Sequence, residues 1–288
     1  MMDDKGSSTI EITVVLVIII LILGAILTSV ENTTDKIIKS QETGNIETLI
    51  NEVVDNLINN PGKPVKWYEY EKGTPGLAII NEDGQIIPNS VSYTKFNALG
   101  KNYKKLITEN SFHSEIKSSM ELIPQKSTIS SVKIGHDDES SIIYSVNRLV
   151  KCDFFKKYVI KDFQNDGKCN HEHDQNTHSC NYFKIFKGNL KSSNYYLIVD
   201  ESEKYHLKYS IGTTAEKNIN WQTASSNVIS INEKIIFHND TGEIVFVHLD
   251  KPKAKAVIVS VPKNFDRNHL DYSYFITNEC KLILKCWY

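Results

Sequence analysis

The chain has 288 residues, of which 40% are hydrophobic, 24% charged and 10% aromatic, with a formal net charge of -2. That balance belongs to a folded protein and excludes wholesale disorder. No basic excess recommends a nucleic-acid partner, and the length leaves room for one apolar helix plus one or two domains able to bury a core.

The first thirty residues carry the most specific signal. A short polar leader ends in Lys5-Gly6, four small or apolar residues follow, then Glu11, then an apolar run from Ile12 to Leu27. Extended through Val30, the run is roughly 20 residues, about 30 Å as a helix, which matches the hydrocarbon core of a bilayer. A carboxylate carried into lipid costs roughly 2.5 to 3.5 kcal/mol, so Glu11 needs a cationic partner or a place at headgroup level. An ordinary secretory signal fits less well, because no small-x-small cleavage site follows a short apolar core.

This order of residues resembles the class III signal of archaeal type IV pilin-like proteins. The resemblance implies cutting by a prepilin peptidase between Gly6 and Ser7, which makes Ser7 the new N-terminus and Glu11 the fifth residue of the mature chain. The α-ammonium so freed on one subunit is the cation that a neighbour's Glu11 requires. The implied partners are that peptidase, the pilus assembly machinery, other pilin-like subunits and the membrane. The implied location is a cell membrane, single-pass, with the C-terminal domain extracellular or carried in a surface filament. The leader departs from the family's usual basic character: Asp3 and Asp4 accompany Lys5, and Lys36 and Lys39 follow the apolar run, so charge alone does not set orientation.

Further along, Ile46, Leu49, Ile50, Val53, Val54, Leu57 and Ile58 recur three and four apart, which predicts an amphipathic helix. It stops at Asn59-Asn60-Pro61-Gly62, where proline removes a donor and glycine accepts turn geometry. The segments NPGKPVKW (60–67), PGLA (75–78) and SYTKFNAL (92–99), with a helix end at Tyr103 to Ile107, look like a recurrent block of the same archaeal pilin-like proteins. Trp67 is the expected packing anchor of that block, with Gly73 and Gly76 giving tight entry to a short strand.

From Phe112 to Ile123 alternation predicts a strand, and a polar turn places a boundary near residue 135. Beyond it, strands are expected at 142–150, 182–186, 195–199, 205–211, 233–237, 243–249, 255–261 and 281–288, with a hairpin loop from His238 to Gly242. Weak alternation in several of them is expected where both faces are covered.

One loop has metal-like spacing: Cys169, His171, His173, His178 and Cys180. A Cys169 to Cys180 disulfide is the preferred reading; a structural zinc site and solvated histidines are the others, and no other cofactor is implied. Cys152, Cys280 and Cys286 make the cysteine count odd. Six residues along one strand put Cys280 and Cys286 near 20 Å apart, so Cys286 is expected to meet a thiol from another strand. Asn32 and Asn239 begin N-glycosylation acceptor triplets. No hydrolase, P-loop, dinucleotide or zinc-protease motif occurs, so no catalytic residue is assigned and an enzyme is not expected.

The expected fold class is α+β: a long N-terminal helix with a membrane-spanning first half, then a small α+β region, then a β-rich sandwich-like C-terminal domain. The divisions are a leader (1–6), a transmembrane or filament-core helix (7–30), an amphipathic helix (31–60), the small region (61–135) and the β-rich extracellular domain (136–288). The expected function is a structural pilin-like or pseudopilin subunit whose head serves adhesion or partner contact. The alternative is a single-pass anchored binding module that does not polymerise.

Overall fold

The computed structural model describes residues 5–70, 72–112, 116–126, 128–138, 144–165, 178–213, 220–238 and 241–287. For 5–12, 22, 25–26 and 30–43 the description covers the helical backbone and not the side chains.

The first element, α1, is helical over Lys5–Asn59. After it come α2 (Trp67–Tyr70), β1 (Ala78–Ile80), β2 (Ile86–Val91) and α3 (Tyr93–Lys101). A π-helix at Lys104–Glu109 leads to β3 (Lys117–Pro124), β4 (Val132–Gly135) and β5 (Tyr144–Cys152). The remaining strands are β6 (Val159–Asp162), β7 (Ser179–Ile185), β8 (Ser193–Val199), β9 (Lys208–Thr213) and β10 (Gln222–Thr223). Then follow β11 (Val228–Ser230), β12 (Glu243–Leu249), β13 (Ala256–Pro262) and β14 (Asn278–Trp287).

These strands form three sheets, ordered β1-β2-β5-β14-β3-β4, β10-β9-β12-β7 and β11-β8-β13-β6. The first is covered by the end of α1, whose Ile46, Ile50, Val54, Leu57 and Ile58 are buried. Their spacing draws one stripe down the helix, and burying five aliphatic side chains contributes on the order of 10 kcal/mol before ordering costs. The facing side chains are Met120, Leu122, Val150, Leu282 and Leu284, in the same core as the stripe. β14 is central because it pairs antiparallel with both β3 and β5.

A second core lies between the other two sheets, filled by Phe163, Phe183, Leu197, Val199, Val245 and Val247 among others. β13 is buried on both faces: Ala256 and Ile258 point into this core, Val257, Val259 and Val261 into the one beneath α1. Double coverage explains why its sequence, AVIVSVP, lacks polar alternation.

The expected class needs correcting. The described chain is mostly β, built on three sheets, and its other helices are short. Strands from both sides of residue 135 share the first sheet, because β5 and β14 supply the apolar face that α1 covers. Alternation in β14 marks which residues point inward, but it does not say which layer they meet. The membrane-spanning first half is corrected too: among the described residues no helix is long and apolar enough to cross a membrane. At 233–237 there is no strand; a short 3-10 turn, Asn232–Lys234, precedes an irregular stretch.

Candidate assembly helix and its junction with the head

Among the described residues, nothing covers the apolar end of α1. Val14, Val15, Leu16, Val17, Ile18, Ile19, Ile20 and Leu21 are each 49–67% exposed, and Leu23 and Leu27 are exposed as well. Eight consecutive residues make more than two helical turns, so apolar surface faces every direction around the axis. A helix of that kind is stable in water only when something else surrounds it.

The processing and assembly residues expected here, Gly6, Ser7 and Glu11, lie on helical backbone, and their side chains fall outside the described residues. Asn32 is in the same position, and Asn239 is outside the description altogether.

The other end of α1 is tied to the head by three polar clamps. On β5, the Arg148 guanidinium reaches Asp55 through Nε at 2.8 Å and Nη2 at 3.0 Å, and Nη2 also donates to Asn51 Oδ1 at 2.7 Å. Asn51 and Asp55 are four residues apart, on one face of the helix. The Arg148 hydrogen bonds hold the Asp55 carboxyl below the usual carboxylate range, while burial opposes this weakly.

The second clamp closes the helix end. Leu77 N–H donates to Leu57 O at 2.7 Å and Ala78 N–H to Asn60 O at 3.1 Å, so the entry to β1 satisfies carbonyls that a helix C-terminus leaves open. Gly76 permits this approach, since a Cβ there would lie 2.2 Å from Asn60 O. Gly62 turns the chain at φ +87°, and a Cβ on it would meet the Trp67 ring at 2.1 Å.

The third clamp joins all three segments of the proline, tryptophan and lysine block. Trp67, 1% exposed, donates through Nε1 to Gly76 O at 3.0 Å. Lys95, buried on α3, donates through Nζ to Pro61 O at 2.7 Å and to Ala78 O at 2.8 Å. Burial lowers the Lys95 pKa and Asp153 partly restores it. Sequence reasoning found Trp67 from its size but missed Lys95 and Arg148, because an exposed lysine and a buried one look alike in a helical heptad.

The metal-like loop is only partly in view. Cys169, His171 and His173 lie outside the described residues. His178 lies beside Trp221, with ring centroids 5.5 Å apart and planes tilted by 36°. Cys180 on β7 stands opposite His248 on β12, Sγ to Nε2 4.0 Å, a pairing set by strand register rather than by loop spacing. Among the described residues no group of three His, Cys, Asp or Glu side chains is placed to hold a metal.

Cys286 sits opposite Ser118 and Tyr144, and burial pushes its thiol up to about 12. The thiol that meets another strand is instead Cys280, which lies against Cys152 at the end of β5. Burial raises the Cys152 pKa, while the hydrogen bond with Cys152 lowers that of Cys280.

Comparison of the chain with protein-family models, curated proteins and solved structures finds no match.

Proposed function

We propose that the protein is a structural, pilin-like subunit that associates with its own kind through the apolar end of α1 and presents the β-rich head for contact with partners. The observation that carries this reading is the band of eight consecutive exposed aliphatic side chains from Val14 to Leu21. Identical segments of neighbouring copies, bundled side by side, would remove that surface from water at about 25 cal/mol per Å². The Gly6 to Glu11 order supports the same reading, since processing after Gly6 would supply the amine that pairs with Glu11. Its setting, on this reading, is the outer face of a cell membrane, with a prepilin peptidase and assembly machinery as partners. No catalytic role is proposed.

Mass spectrometry of protein isolated from its native membrane tests the processing: Ser7 is expected as the first residue, and an intact leader or a cut elsewhere overturns it. Glu11→Ala tests the assembly. Cross-linked multimers of native copies should disappear in this variant while the head keeps its thermal unfolding profile. Unchanged multimers, or native protein that never cross-links, would replace the filament reading with a tethered module that does not polymerise.

A further inference from the structure

Beside the junction with α1 the head carries an aromatic cleft of about 250 Å³. Tyr93, Asn97 and Lys101 enter it from one face of α3, four residues apart. Tyr68 closes one side, and Phe155 and Lys157, from the turn after β5, close the other. The rings are half-buried, so each keeps an open face or edge. The polar groups are placed as well: Lys157 Nζ donates to Thr94 Oγ1 at 3.1 Å, and Asn97 stands one helical turn after Tyr93 on the same face of α3.

The backbone there is strained. Phe154 has φ +28°, a rare value for a bulky residue, and it is buried against Tyr93 with ring centroids 5.0 Å apart. The strain goes with Phe154 turned inward, while its neighbour Phe155 is half-buried, T-shaped to Tyr93 at 5.5 Å and packed on its other side against Phe265 at 5.1 Å. Such strain persists where the surroundings over-determine it, commonly at ligand sites.

Lys101 belongs to a second cleft too, of about 370 Å³, which also takes in Lys104, Lys105, His136 and one carboxylate, Glu109, so that three lysines face one acid there. Among the described residues no carboxylate lies within ion-pair distance of Lys101, Lys104 or Lys105. No acid lines the aromatic cleft among the described residues; the neighbouring Asp153 accepts from Tyr93 N–H through Oδ1 at 2.8 Å. An aromatic trough therefore runs into a cationic one, with Lys101 at the join.

We infer that these joined clefts bind an acidic glycan, with a sugar ring on Tyr68, Tyr93 and Phe155 and the acid groups on Lys101, Lys104 and Lys157. The weakly positive C–H face of a pyranose complements the negative face of an aromatic ring. The Asn97 amide and Thr94 hydroxyl offer both donors and acceptors to sugar hydroxyls. Carboxylates in successive residues of a polymer meet the lysines in charge-assisted hydrogen bonds. This deepens the reading of the head as a contact surface and rests on it.

The test is titration of the unassembled full chain, in detergent micelles, with oligogalacturonate, a neutral maltooligosaccharide and poly-glutamate. Oligogalacturonate should bind most tightly, and binding should weaken as salt screens the lysines. Lys101→Glu should weaken it tenfold or more without changing the melting temperature, since Lys101 is exposed, and Tyr68→Ala should weaken it as much, with its fold checked by the melting curve because Tyr68 packs edge-on to Trp67. Equal binding of poly-glutamate would reduce the site to a charge patch, and equal binding of the neutral sugar would remove the acidic requirement; either outcome overturns the proposal. So does absence of binding, or indifference to both substitutions. Because the protein is unassembled, a chain that binds the glycan yet never forms multimers sinks only the filament reading.

Discussion

The two ends of α1 are made of similar residues and meet opposite fates. Around Ile50 the aliphatic side chains fall on one stripe, and the first sheet covers it. From Val14 to Leu21 they fall on every side, and more than two turns stay exposed. A sheet can cover only one side of a helix, so a one-sided pattern can be satisfied within a chain while an all-round pattern needs neighbours on all sides. The part of the helix that packs on the head is thereby distinct from the part whose apolar surface stays exposed.

Breaking the junction should have the largest effect. Trp67→Ala removes a fully packed indole and its bond to Gly76, and it should cost about 3–5 kcal/mol of head stability in urea denaturation. A loss under 1 kcal/mol would mean that the junction does not anchor the helix.

The same substitution made in both halves sharpens the contrast. Ile50→Ala should cost about 2–5 kcal/mol, because Ile50 is fully buried. Ile19→Ala, at a position 49% exposed, should stay within about 0.5 kcal/mol of the parent in the same denaturation experiment. Equal losses would erase the distinction between the halves.

The smallest effect is expected at the Arg148 clamp. Both partners are part-exposed, so Asp55→Asn should cost about 1 kcal/mol or less at pH 7. Because Arg148 lowers the Asp55 pKa in the folded protein, the unfolded chain takes up the proton first as pH falls. The contribution is therefore complete above the unfolded value of 3.8 and lost as pH drops through the folded one. Stability curves of parent and Asp55→Asn should converge in acid; a gap that widens there would show that the carboxylate is not the stabilising form.

Much of the helix and strand pattern was legible because it is local. Three- and four-residue spacing gave the stripe from Ile46 to Ile58, and β12 lies over the segment read as EIVFVHL. The segment 233–237 misled because β-branched residues mark apolar surface as well as strands, and here Ile235 packs against the second core without pairing. Strand partners were not legible. That β14 joins β3 and β5, or that Cys180 faces His248, depends on register between segments far apart in sequence.

For the candidate sites the division is similar. An apolar run behind Gly6 and Glu11, and a tryptophan between prolines and glycines, are visible in the residue order itself, because hydrophobicity and backbone freedom are properties of single residues and their near neighbours. Which polar groups become clamps was decided only by folding. Lys95 reaches carbonyls 34 and 17 residues away, Arg148 an acid 93 residues away, and the aromatic cleft gathers Tyr68, Tyr93 and Phe155 from three separate elements. Hydrogen bonds and clefts are set by positions in space, and those positions exist only once the sheets have packed.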